Sequence, residues 1–252
     1  MTAFIAAYRG ECSKILRRKK YIVFLCVGVF ICLVWAGIGG VLSGLAERFV
    51  GIAINLAPSP MGVLPLFLQV MIPLLIFMGV TDLFTVEGAE NTMKAMIMRP
   101  VERAKLFSAK ILSVMTYSAL YLGVVFVVSA VLNQIFGRAL GVNDLAVALA
   151  SYALTILPLM VLASFAALVA LLGRSGTLTM FLLIVVYLVM GVLPVLVPVT
   201  GQLLFTSYLG WHRLWIGALP GVTRLVHMLV IVFGYGVVFF TAGSLVFDKK
   251  EY

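Results

Sequence analysis

Six stretches of this chain stay apolar for more than twenty residues each: Tyr21–Leu45, Val63–Thr85, Leu106–Phe136, Leu145–Leu172, Thr177–Val199 and Thr223–Phe247. A helix needs about 20 such residues to cross the hydrocarbon of a bilayer, so every run is long enough. A transmembrane barrel would instead show strict alternation over about ten residues per strand, and these runs do not alternate. The third and fourth are longer than one crossing, so their ends project or the helices tilt. Composition agrees. The 252 residues are 63% hydrophobic and only 11% charged, against about 25% charged in soluble domains. The expected fold is an all-α membrane protein of six transmembrane helices, with residues 1–252 forming a single domain.

Charge gives the direction of threading. Arg9, Lys14, Arg17, Arg18, Lys19 and Lys20 precede the first run, and Lys94, Arg99, Arg103, Lys105 and Lys110 follow the second. With Arg174, Lys249 and Lys250 this places fourteen bases on one side, against Arg48, Arg138, Arg213 and Arg224 on the other. Lys and Arg accumulate on the cytoplasmic side, so both termini are expected there. The net charge of +9 is then a matter of topology, and no nucleic-acid partner is needed. Cys12, Cys26 and Cys32 have neither zinc nor redox spacing.

A signal peptide would carry an apolar region of 7–15 residues, shorter than Tyr21–Leu45, so the first run reads as a retained span. Before it, Phe4, Tyr8, Cys12, Ile15 and Leu16 fall on one helical face. Residues 1–20 read as an amphipathic helix on the inner leaflet, with a plain basic tail as the alternative.

The longest polar interruption is EGAENTMKAMIMRPVERAKLF, residues 87–107. Glu87 and Glu90 suit the start of a short helix, and Lys94 and Arg99 suit its end. Glu90 and Lys94 are an i,i+4 pair, and Pro100 stops the helix. Met93, Met96 and Ile97 form a small adaptable apolar face. One reading is a solvated loop that curls; the other is a docking surface for a soluble partner.

Residues 87–112 resemble the cytoplasmic loop of the ABC-2 class of ABC-exporter permeases, the bacitracin- and lantibiotic-exporting ones most of all. The matching positions are Glu87 or Glu90, Thr92, Pro100, Arg103 and Lys110; Asn91 stands where the family commonly has Gly, and Glu102 where it commonly has Ser. The resemblance implies the transmembrane half of an exporter, with loop 86–104 as the coupling helix and Glu87, Glu90, Thr92, Met96, Pro100 and Arg103 as its ATPase contacts. It implies two separate ATPase chains holding ATP and Mg, and a second permease copy, identical or not. A bacterial plasma membrane is the expected location, and an amphipathic cargo, an antimicrobial peptide or lipid-like molecule, the expected substrate.

The chain has no G-x-x-x-x-G-K-[ST] and no H-E-x-x-H, so neither a P-loop nor a zinc protease is expected, and no catalytic residue, cofactor or metal ligand is assigned. Asp82, one turn from the inner end of the second run, reads as reaching interfacial water or capping local structure. Gln69, Asn133 and Gln134 are the candidate pathway groups, with polar glue between helices as the alternative. Scarce mid-span charge argues against an ion-coupled carrier, and a non-transporting scaffold that recruits a partner through the same loop stays open. Gly40 and Gly44, and Gly234, Gly236 and Gly243, thin the first and last runs. Pro158, Pro194 and Pro198 are expected to kink the fourth and fifth. Residues 46–60 read as an outer surface helix. Trp211 and Trp215, beside His212 and Arg213, mark 200–222 as a re-entrant outer segment.

Overall fold

The computed structural model describes residues 2–50, 59–89, 102–136, 141–215 and 222–250. Among these there is no strand, and six helices are long and apolar enough to cross a membrane. The membrane helices are Lys19–Val50, Pro60–Val86, Arg103–Phe136, Val142–Leu172, Gly176–Leu196 and Val222–Lys249, preceded by an N-terminal helix, Thr2–Arg17. The protein is a multi-pass membrane protein.

The second, third and fourth helices form the centre of the bundle, and the first, fifth and sixth lie around them. Phe67, Ile72, Phe77, Phe84, Phe107 and Leu159 are buried at the junctions. On the outer helices Phe30, Val34, Phe181, Leu188, Phe233 and Val237 are exposed. In water such surface would cost about 25 cal/mol per Å²; lipid removes that cost.

Proline chemistry shapes the centre. Ser59 caps the second helix, its Oγ accepting from the Gly62 N–H at 3.1 Å, and Pro60 takes the first helical position, where no N–H is needed. Pro73 has no N–H to offer the Gln69 carbonyl one turn earlier. The helix widens into a π segment at Phe67–Met71, and the Tyr187 hydroxyl of the fifth helix donates to the Gln69 carbonyl instead, at 2.9 Å. A second π segment, Thr81–Val86, ends the same helix.

Pro158 acts as anticipated. It cannot bond the Leu154 carbonyl, and the fourth helix breaks at Thr155 into Val142–Leu154 and Ile156–Leu172. Pro194 lies within the fifth helix. Pro198 does not kink it: the helix ends at Leu196, and Val197 is extended, as a residue before proline prefers. Of the glycines, Gly243 is where the sixth helix meets the third, since an added Cβ would lie 2.7 Å from Phe107 Cζ, whereas Gly234 faces open space. Residues 46–50 continue the first helix rather than starting a separate surface helix, and 51–58 lie outside the described residues.

The segment after the fifth helix makes one α turn, Thr200–Leu203, then a 3₁₀ stretch, Phe205–Trp215. It packs against the fourth, fifth and sixth helices. The Phe205 ring sits against those of Phe165, Tyr235 and Phe239, at 5.4, 5.8 and 5.5 Å. Trp211 is buried, so this indole belongs to the bundle and not to an exposed aromatic rim.

Candidate functional site

Four buried ionisable side chains, Glu11, Asp82, Glu87 and Lys110, gather at one end of the bundle among the described residues. The N-terminal helix, the start of the first membrane helix, the end of the second and the start of the third meet there. Lys110 lies two turns into the third helix and is fully buried. Its ammonium pairs directly with Glu87 Oε2, donates to the Leu83 carbonyl at 3.0 Å, and lies 3.5 Å from Glu11 Oε2. It also stands 5.8 Å from the centre of the Phe84 ring. Lys14, on the N-terminal helix, donates to Glu87 Oε1 at 2.9 Å and to Glu11 Oε1 at 3.1 Å. Two carboxylates and two ammoniums thus balance. The balance is needed because an unpaired charge at this depth is very costly. Burial alone pushes the Lys14 pKa down, but the Glu87 and Glu11 carboxylates outweigh it and hold it above its ordinary value.

Asp82 forms the adjoining cluster. Its carboxylate accepts from Lys20 at 2.6 Å, from the Tyr21 hydroxyl at 2.8 Å and pairs with Arg18 at 3.0 Å. It is 6% exposed and bonded to segments distant in the chain, so it does more than cap local structure; it ties the second membrane helix to the elbow between the N-terminal and first membrane helices. The π segment explains how one helix presents both acids. In a regular α-helix five residues turn two side chains about 140° apart. Here the wider turn, in which the Glu87 N–H bonds the Asp82 carbonyl, brings the two acids closer to one face, where Glu87 meets Lys14 and Asp82 meets Arg18, Lys20 and Tyr21.

The N-terminal helix, whose Lys14 meets Glu87, packs along the third membrane helix. Its buried face carries Glu11 and Ile15, with Tyr8 bonded to Thr116 Oγ1 at 2.8 Å. Ile5 and Leu16 are exposed. The apolar stripe read from the sequence is therefore split, one edge docked on protein and the other facing outward.

Of the residues assigned to the polar loop, Glu87 lies at its root with the carboxylate turned inward, and Arg103 lies where the third helix begins. The Arg103 guanidinium donates to the carbonyls of Asp248 and Lys250, tying that start to the end of the sixth helix. Lys250 in turn donates to the Leu171 carbonyl at the end of the fourth helix, and its burial lowers its pKa. Below, Phe84, Phe107, Phe240 and Phe247 stack edge to face at 5.4–6.0 Å. Glu90, Thr92, Met96 and Pro100 lie outside the described residues.

Gln69, Asn133 and Gln134 are not brought together with this cluster. Gln69 and Gln134 are exposed, and Asn133 is buried in the third helix. Basic residues near a first span read as topology, which hides Lys14, Arg18 and Lys20, and with them Glu11, as members of a site. A signal was present: Glu11 is the one acid among the first twenty residues.

The model of a family of proteins of unknown function, DUF2705, matches residues 53–252. The chain belongs to that family. No curated protein matches it. The family region holds Asp82, Glu87, Arg103 and Lys110, while their partners Glu11, Lys14, Arg18, Lys20 and Tyr21 lie before it.

Proposed function

We propose that this DUF2705 chain is the permease subunit of an ATP-driven exporter, similar to ABC-2 permeases, and that loop 86–104 is its coupling lever. In this reading both termini and the charged end of the bundle face the cytoplasm. The N-terminal helix lies along the inner leaflet, its outward edge with Ile5 and Leu16 in lipid, and residues 200–222 re-enter from the outer side. Two ATPase chains bind beneath two permease copies in a bacterial plasma membrane, and an amphipathic cargo leaves along the spans. No ATPase site is assigned to this chain.

The observation that carries the reading is the Glu11–Lys14–Glu87–Lys110 network. It fastens the root of the polar loop to two other elements at once. A force on the loop then displaces the N-terminal helix and the third membrane helix together instead of dissipating in a free linker. Glu87 takes part by anchoring, and Glu90, Thr92, Met96 and Pro100 remain the proposed surface contacts. A carrier driven by an ion gradient is less well supported, because the buried carboxylates and lysine among the described residues sit at one end and not along a path.

The test is affinity purification from the native membrane followed by a nucleotide-hydrolysis assay. An ATPase should co-purify in equal amount. Glu90→Ala should leave hydrolysis in place and sharply reduce export; adding Arg103→Ala should deepen the loss, with the added effect that the sixth helix loses its tie to Arg103. A single cysteine introduced into loop 86–104, which has none of its own, and labelled by membrane-impermeant thiol reagents from outside the cell, or a complex with no nucleotide-hydrolysing subunit, overturns the proposal.

A further inference from the structure

On the flank of the bundle, beside the Asp82 cluster, a cleft of about 480 Å³ opens between the second and fifth membrane helices. Its two ends differ in chemistry. At the polar end stand Lys20, Asp82 and Thr81; Met78, Met180 and Phe181 wall the rest. The polar end carries excess positive charge, since Arg18 and Lys20 share the single carboxylate of Asp82. Lys20 is 44% exposed, and an ammonium has three donors, so pairing with Asp82 leaves it able to meet a second anion.

The fifth helix begins at the same place. Gly176 and Thr177 line the cleft. Ser175, its N-cap, makes no side-chain bond to the first-turn N–H groups, and the first turn has no acid. That helix start presents donors and a partial positive charge without a partner from its own cap. Thr81 is 4% exposed, and its hydroxyl has no hydrogen-bond partner among the described residues. A buried hydroxyl without a partner is uncommon, and this one belongs to a residue in the wall of the cleft. From the cleft an apolar line continues along the fifth helix through Phe181, Val185 and Leu188, all exposed, spaced i, i+4, i+7 on one face.

A positive, donor-rich pocket that runs into an exposed apolar stripe matches an amphiphile with an anionic head. We propose that the cleft binds an anionic membrane phospholipid, its phosphate on Lys20 and the first-turn N–H groups of the fifth helix, its acyl chain along Phe181, Val185 and Leu188. The site rests on the membrane-spanning architecture and is independent of the transport reading.

Native mass spectrometry of the detergent-purified protein tests this, with phosphatidylglycerol and phosphatidylcholine of identical chains as probes. Melting curves with glycerol phosphate and with inorganic phosphate form the second arm. Wild type is expected to retain phosphatidylglycerol about tenfold over phosphatidylcholine, and neither soluble phosphate is expected to raise the melting temperature. Thr177→Asp is the sharp variant: an acid in a first turn favours the helix dipole, so the fold is kept, while the carboxylate repels the headgroup. It should melt no lower than wild type without lipid and lose the preference. Lys20→Gln, in which Arg18 and Tyr21 still hold Asp82, should lose it too. Equal retention of the two lipids by wild type, a preference that survives both variants, or protection by inorganic phosphate equal to that by phosphatidylglycerol overturns the proposal.

Discussion

Replacing Lys110 with Met tests the energetics of the buried network most directly. Methionine keeps the length and apolar stem of lysine and removes only the charged, donating head. In the wild type that head faces Glu87 Oε2, the Leu83 carbonyl and, at 3.5 Å, Glu11 Oε2, with no solvent exposure. Its loss leaves two buried carboxylates that Lys14 also pairs with among the described residues. Removing one partner of a buried ion pair costs about 3–5 kcal/mol, because the other charge is stranded. For a chain of this size, about 2–4 °C per kcal/mol makes this a fall on the order of 10 °C in melting temperature. The assay is thermal unfolding of purified Lys110→Met in detergent beside wild type. The double variant Lys110→Met, Glu87→Gln completes the comparison: with Glu87 neutral, Lys14 balances Glu11, and part of the loss should return as a coupling of about 0.5–3 kcal/mol. A single variant melting within one degree or so of wild type, or two substitutions whose effects simply add, would refute the reasoning, since the carboxylates would then not depend on Lys110.

Two further outcomes are expected. Gly243→Leu forces side-chain atoms into the space where even a Cβ would lie 2.7 Å from Phe107 Cζ; overpacking of this kind costs about 1–3 kcal/mol and should appear as a lower melting temperature, with Gly234→Leu close to neutral. The Lys14 pKa is raised above its ordinary 10.5 by Glu87 and Glu11, against the effect of burial. A raised lysine contributes stability that is fully present below pH 10.5 and is lost as pH rises through the higher folded value. Melting curves collected upward from that pH should fall more steeply for wild type than for Lys14→Met.

What the sequence made legible was whatever each segment decides by itself. Membrane crossing follows from the apolar length of one helix, so six runs became six helices with ends shifted by a few residues. The break near Pro158 was legible because a missing N–H acts on a carbonyl four residues away. The same local rule located the close approach at Gly243 only as one of several glycines, because which glycine meets a neighbour depends on how the sixth helix is rotated. Glu87 was legible as a loop acid, but its inward turn was not.

The sequence by itself determined that this chain is a helical membrane protein and which loops and ends gather its bases, because apolar length and the count of Lys and Arg add up residue by residue along the chain. Only the tertiary structure decided what the charges do. Lys14 meets Glu87 across 73 positions, Lys20 meets Asp82 across 62, and Arg103 meets the Asp248 carbonyl across 145. Such pairs depend on helix rotation, on the N-terminal helix docking along the third span, and on a π turn that draws Asp82 and Glu87 closer to one face. A buried charge is stable only beside its counter-charge, and that partner is set by the packing of distant segments.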